Sequence, residues 1–209
     1  MEKNATLEQI NHPLFQLHNI KVSIKRDDLI HPIISGNKWR KLKANIGFVK
    51  AYHKRGIVSF GGSYSNHIHA LAYACYLQGI DAHLIIRGEP ENADNFTLSW
   101  AKHWRATLHF VDRKTYRQRQ EVNYLSGLAQ QFPEHHIIPE GGSNVLALQG
   151  VGEVITELNQ QIEFDTLMLP VGSGGTIAGL INADKNQHTL LGVAVLKNAD
   201  YLRNDLINL

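Results

Sequence analysis

The residues that could do chemistry in this chain gather around lysine and glycine. The stretch Ser35-Gly36-Asn37-Lys38-Trp39-Arg40-Lys41-Leu42 centres on Lys38. A Gly-Asn pair ahead of a lysine turns the backbone sharply, and Arg40, Lys41 and Lys43 follow close behind. Neighbouring cations depress an ammonium pKa, and a lysine kept neutral is a nucleophile toward carbonyl carbon. Most lysines are solvated surface groups. The turn, the cation cluster and the glycine-rich loops further along set Lys38 apart.

Three glycine-rich turns supply binding chemistry. Gly172-Ser173-Gly174-Gly175-Thr176 suits a phosphate: glycines let the backbone approach an anion, and Ser173 and Thr176 add hydroxyl donors. Ile177 stands where a dinucleotide fingerprint needs its third glycine, and no Gly-Lys-Ser/Thr follows to make a P-loop. A tight turn that merely needs small residues is the competing reading. Gly61-Gly62-Ser63-Tyr64-Ser65-Asn66-His67 offers hydroxyl, amide and imidazole groups to a carboxylate, although Ser and Asn there also serve as plain helix caps. Gly141-Gly142-Ser143-Asn144 reads as packing or capping. A lysine beside a phosphate site meets the requirement of pyridoxal phosphate, which is held as a Schiff base.

The elements that must position these residues alternate. Predicted strands cover residues 19–25, 56–60, 82–87, 107–111, 136–139, 166–171 and 190–196. Predicted helices cover 39–52, 66–77, 95–105, 113–131, a stretch ending near 161, 177–182 and 200–208. Short apolar strands alternating with amphipathic helices predict an α/β fold with parallel sheets. In such sheets ligands bind at the carboxyl ends of the strands, where all three turns fall.

Hydrophobic content of 43% with 19% charged residues is that of a globular protein. A net charge of +2 argues against a nucleic-acid or anionic-membrane surface. Cys75 stands alone, so no intrachain disulfide forms, which fits a reducing compartment. The polar N-terminus lacks an apolar signal core, no run is long enough to span a bilayer, and cytoplasm is the expected location. Twelve histidines invite a metal site, with His67/His69 and His135/His136 as candidate pairs. No cysteine or carboxylate completes a ligand set at a familiar spacing, so no metal is expected.

Five motifs occur in order: Lys25-Arg26-Asp27-Asp28; Gly36-Asn37-Lys38 with Arg40-Lys41-Leu42; Gly61-Gly62 with Ser65-Asn66-His67; Pro139-Glu140-Gly141-Gly142-Ser143; and Gly172 to Thr176. From about Leu14 onward the chain resembles the 1-aminocyclopropane-1-carboxylate deaminase / D-cysteine desulfhydrase family, within the tryptophan-synthase β-like (fold type II) pyridoxal-phosphate enzymes. The resemblance implies two open parallel-sheet α/β domains with a cofactor cleft between them: a small one over residues 47–144, and a larger one from 1–46 and 145–209. It implies that Lys38 carries the Schiff base and is the catalytic base, and that Lys41 contacts the cofactor phosphate. Gly172, Ser173, Gly174, Gly175 and Thr176 then form the phosphate loop, and Asn66 bonds the phenolic oxygen. Ser65, also catalytic, flanks the substrate carboxylate with His67, and Asn66 joins them in substrate binding.

The same resemblance implies a lyase or deaminase, with hydrolase chemistry also in its scope, acting on a small amino acid, and a homodimer. The deaminase branch usually has Gln at the position of His67, whereas desulfhydrase-like members often have Ser-Asn-His. That difference favours D-cysteine β-elimination to pyruvate, ammonia and sulfide, with the cyclopropane acid as the alternative substrate. Family members run on past Leu209, and the missing portion carries the partner of the pyridine nitrogen. The larger domain is therefore expected to be incomplete. Two readings of other classes stand beside the enzyme: an inactive cofactor- or amino-acid-binding fragment, and a nucleic-acid patch along the basic run from Lys38 to Lys54.

Overall fold

The computed structural model describes residues 5–207. The chain opens with β1 (Leu7–Ile10), α1 (Pro13–Leu17) and β2 (Val22–Lys25), and then enters α2 (Asn37–Ala51). The central run is β3 (Gly56–Gly62), α3 (Asn66–Gln78), β4 (Asp81–Arg87), α4 (Phe96–His103) and β5 (Thr107–Val111). It continues through α5 (Arg113–Arg117), α6 (Val122–Gln131) and β6 (His135–Ile138). The last elements are α7 (Val145–Gln161), β7 (Thr166–Val171), α8 (Gly175–Asp184), β8 (Thr189–Ala194) and α9 (Tyr201–Ile207).

A four-stranded parallel sheet of order β5-β4-β3-β6 forms the centre, and β7 and β8 form a second parallel pair. Alternation along the strands divides the central core in two. Ile57, Leu84 and Ile86 face α2, α3 and α4, where Leu42, Val49, Ile68, Leu71 and Leu98 meet them. Val58, Phe60 and Ile85 face Tyr116, Leu128 and Phe132 on the other side. Both faces are covered, as a parallel sheet requires.

The expected parallel α/β architecture is present, with three local differences. The first sheet is an antiparallel pair of β1 with β2, and neither β1 nor α1 was anticipated. The long helix expected over 113–131 is two helices, α5 and α6. No glycine or proline marks the break. Arg119 turns back instead, donating to Glu140 at 2.6 Å and to the Tyr116 carbonyl at 3.3 Å. Finally, α9 begins at Tyr201, and its expected end, Asn208, lies outside the described residues. The expected domain boundary at 46/47 falls inside α2, so this helix belongs to both expected units.

An ionic network fixes α2. Lys25 and Asp27 point inward while Arg26 and Asp28 pair with each other in solvent. Arg40, 3% exposed, donates to both Asp27 oxygens at 2.6 and 2.9 Å and to both Glu157 oxygens at 2.9 Å. Lys25 completes the group at 2.6 Å from Glu157. Two cations thus face two carboxylates, and the segment after β2, α2 and α7 are tied together. Close approach needs Gly150: a Cβ there would lie 2.2 Å from the Arg40 carbonyl oxygen.

Burial would raise the Glu157 pKa, but Arg40 and Lys25 override it and hold the carboxyl at about 2. A depressed carboxylate contributes stability that is complete above its unfolded value, 4.5, and is lost as pH falls toward 2. Glu157→Ala is expected to destabilise the fold by about 3 kcal/mol, because it leaves Arg40 and Lys25 under-compensated. Urea denaturation near neutral pH checks this. In the variant, the loss of stability between pH 4.5 and 2 should be smaller than in the parent.

Candidate active site

The three glycine-rich turns meet where the helices they precede begin. Gly36, at φ +61°, is the N-cap of α2, and Lys38 lies in that helix's first turn. Asn37 donates to the Thr176 hydroxyl at 2.8 Å, which joins the start of α2 to the start of α8. One turn along, Lys41 Nζ donates to Ser143 Oγ at 3.0 Å, and Ser143 Oγ lies 3.0 Å from Ser173 Oγ. Lys41, Ser143, Ser173 and the opening of α8 therefore form one cluster.

Each glycine of the 172–176 turn has its own reason or lacks one. Gly174 sits at φ +77°, where a side chain is strained. Gly175 is required by space, since a Cβ would lie 2.2 Å from Ser143 Oγ and 3.0 Å from Lys41 Nζ. Gly172 has no such neighbour within 3.9 Å, its nearest being Val195 at 4.0 Å. No side chain caps α8. Its first-turn N–H groups and positive dipole end thus stand beside Lys41, an arrangement that favours an anion.

The electrostatics point the same way. Burial lowers the Lys38 pKa. Lys41, 1% exposed, is pushed down to about 7 by burial first and by Lys38 second. Among the described residues neither amine has a carboxylate partner within salt-bridge range. One buried and one half-buried lysine without an acid favour an anionic ligand, which would hold them protonated. The folded Lys41 pKa lies below its unfolded 10.5, so stability rises with pH between about 7 and 10.5. A bound anion removes that penalty.

His67 borders the same space. It is 2% exposed, and its pKa falls to about 3 through burial, then Lys38, then Lys41. Its Nε2 lies 2.8 Å from Ser59 Oγ, which donates to the Ile138 carbonyl at 2.9 Å. The network therefore assigns the proton to Nε2. Nδ1 is left as a buried acceptor without a partner, close to the position a Cβ on Gly142 would take, at 3.3 Å. Ser65 caps α3 by accepting from the Ile68 N–H at 3.4 Å, so the capping reading holds for it. Asn66 is exposed at the helix start.

Sequence reading missed two participants. Ser143 belongs to the turn read as packing or capping. Asn144 does cap α7, at 3.0 Å from the Ala147 N–H, but Ser143 beside it joins the cluster. The Gly-Gly-Ser repeated at 61–63 and 141–143 was the available signal. Asn37 was read only as a turn residue. The basic run is also turned inward: Arg40 and Lys41 are buried and Lys43 pairs with Glu153 at 3.1 Å, unlike a nucleic-acid stripe. Next to the carboxyl end of β3, a cavity of about 520 Å³ is lined by Gly62, Ser63, Arg87, Arg113, Arg117 and Arg119. Its charge attracts carboxylates toward the cleft.

A parallel α/β sheet with a desolvated lysine and an anion cradle at its strand ends is the site of a protein that binds a phosphorylated carbonyl cofactor. The chain belongs to the family of pyridoxal-phosphate dependent enzymes, which its residues 5–205 match. It is 31% identical over 173 residues to the bifunctional D-cysteine desulfhydrase/1-aminocyclopropane-1-carboxylate deaminase of Arabidopsis thaliana, covering 75% of this chain and 43% of that protein. It is 26% identical over 195 residues to the D-cysteine desulfhydrase of Klebsiella pneumoniae, covering 87% of this chain and 60% of that protein. The crystal structure of an ACC deaminase homologue superposes with a TM-score of 0.83 at 26% identity, covering 99% of this chain and 65% of that one. The chain thus spans roughly two fifths to two thirds of these three proteins. Their names carry deaminase and desulfhydrase chemistry; hydrolase chemistry, also expected from the sequence, is not among them.

The residues present fit the family's cofactor, since a phosphate satisfies Lys41 and the α8 N-terminus while the neighbouring Lys38 offers an amine. Gly175→Val is expected to destabilise the fold by crowding Ser143 and to abolish cofactor binding even where the variant remains folded, measured by thermal denaturation and equilibrium dialysis. Sulfate, an anion of constant charge, tests Lys41. Its affinity should decline as pH rises above about 7, approaching tenfold per unit, as Lys41 loses its proton in the free protein. Lys41→Met should flatten that dependence.

Proposed function

We propose that the cleft around Lys38 performs lyase or deaminase chemistry on a small amino acid, with D-cysteine as the first candidate substrate. The observation that carries this reading is the pairing of a desolvated Lys38 amine with the Lys41–Ser143–Gly175 anion cradle. Pyridoxal phosphate bound there supplies an electron sink for charge developing at the substrate Cα. Lys41, Ser173 and the α8 N–H groups would hold the phosphate, and Lys38 would anchor the carbonyl carbon.

The remaining roles fall to the chain's own side chains. Lys38 Nζ, whose pKa burial lowers, takes the Cα proton and, with D-cysteine, passes it to the departing sulfur. The α3 N-terminus, with Ser65 and Asn66, orients the substrate carboxylate. The neutral His67 Nδ1 is free to accept a hydrogen bond from a group in the cleft, which suits an ammonium or hydroxyl donor better than a carboxylate. For D-cysteine, one water is consumed, and pyruvate, ammonia and hydrogen sulfide are released. The His at position 67 favours this substrate. The cyclopropane acid, to which the relatives' names lend equal support, lacks a Cα proton, so base chemistry would move to a ring carbon.

Coupled assays of keto-acid release from D-cysteine and from 1-aminocyclopropane-1-carboxylate test the reading. Turnover of either is expected, with kcat/KM higher for D-cysteine. Lys38→Ala should lower turnover by at least about a thousandfold, the loss typical of a catalytic base that is also the anchor. Keto-acid release persisting in Lys38→Ala would overturn the assignment. A folded chain that binds the cofactor and turns over neither acid would be a binding module.

A further inference from the structure

We propose a second site, a divalent transition-metal site of the zinc class built by Asp81, His83 and His135 at the opposite end of the central sheet. One donor atom from each of the three lies within 4.8 Å of the others. Their convergence follows from strand register. Asp81 begins β4 and His135 begins β6, and both pair with Gly56 on the intervening β3. His83 lies two residues beyond Asp81, so the three side chains leave the same sheet face. Gly56, the residue between them, contributes no side chain to fill the space. His109 on β5 shares the face, with its Nε2 3.1 Å from His83 Nδ1.

The observation that points to a ligand is His135. Its side chain is only 8% exposed, and neither ring nitrogen has a hydrogen-bond partner. Its Nε2 lies 3.7 Å from Asp81 Oδ2, too far for a hydrogen bond. An imidazole buried with both nitrogens unsatisfied is costly, and a metal ion would answer one of them. His109, through its bond to His83, orients that ring as outer partners of metal ligands do.

Zinc bonds of about 2.0–2.1 Å in a tetrahedron place donors about 3.3 Å apart, so the cluster tightens on loading. Asp81, 48% exposed, can rotate to supply that movement. It must exchange an exposed ion pair with Arg55, at 3.3 Å, which contributes little. Glu134, 3.8 Å from Arg55, keeps that guanidinium paired afterwards. Phe132 packs against His83, His109 and His135 and closes the apolar side. A water completes the tetrahedron.

Zinc titration of the metal-stripped chain, followed by competition with a chromophoric chelator, tests this. One Zn²⁺ per chain is expected, and Co²⁺ should give the intense visible bands of a tetrahedral ion. His135→Phe, which keeps the ring packing, should weaken zinc by about a hundredfold or more. The exposed Asp81→Asn serves if that variant does not fold, with a loss of at least about tenfold. No uptake by the parent chain would overturn the proposal. So would uptake unchanged in both variants, which would place the ion on other histidines.

Discussion

Arg40 is the fixed point of this molecule. Its guanidinium is closed on two carboxylates from different parts of the chain, Asp27 and Glu157, inside a contact that solvent barely reaches. A rigid fork satisfied on both sides sets the rotation of α2 as well as its position. With Arg40 held toward α7, Lys38 and Lys41 are turned to the start of α8. The fork does not have to be the strongest interaction in the fold to matter, since buried ion pairs roughly balance their desolvation. It admits one setting of the helix.

From that setting the electrostatics of the cleft follow. Carboxylates are spent on Arg40 and Lys25, on the far side of α2, and the cleft side keeps its cations without acids. Burial lowers the pKa of Lys38, Lys41 and His67, Lys38 lowers that of Lys41 further, and both lysines lower that of His67. The result is two lysines of lowered pKa and a neutral imidazole beside helix N-termini. That is a field prepared for an anionic ligand and for a proton carrier near neutral pH.

Much of this was legible in the sequence. Lys38, Lys41 and the turn 172–176 could be found because their signals are local: glycine where φ turns positive or space closes, and cations one helical turn apart. Ser143 had only the repeated Gly-Gly-Ser to mark it, because its partner Lys41 lies 102 residues away. Glu157 sits in mid-helix with nothing nearby to mark it as the partner of Arg40. The Lys25-Arg26-Asp27-Asp28 run was visible as a motif, but its division into an inward and an outward pair needed β2 to exist first. The cluster at Asp81, His83 and His135 was hidden for the same reason, since strand register assembles it across more than fifty residues. The break between α5 and α6 has no helix-breaking residue, and the bond that Arg119 makes there reaches Glu140, 21 residues on.

The central claim is that Lys38, desolvated and next to an anion cradle, is the amine that bonds the family's cofactor. Reduction of the cofactor-loaded protein with borohydride, followed by proteolysis and mass mapping, reads this directly. A single pyridoxyl-phosphate adduct on the peptide containing Lys38 is the predicted result. An adduct on Lys41 or on any other lysine, with Lys38 unmodified, would contradict it.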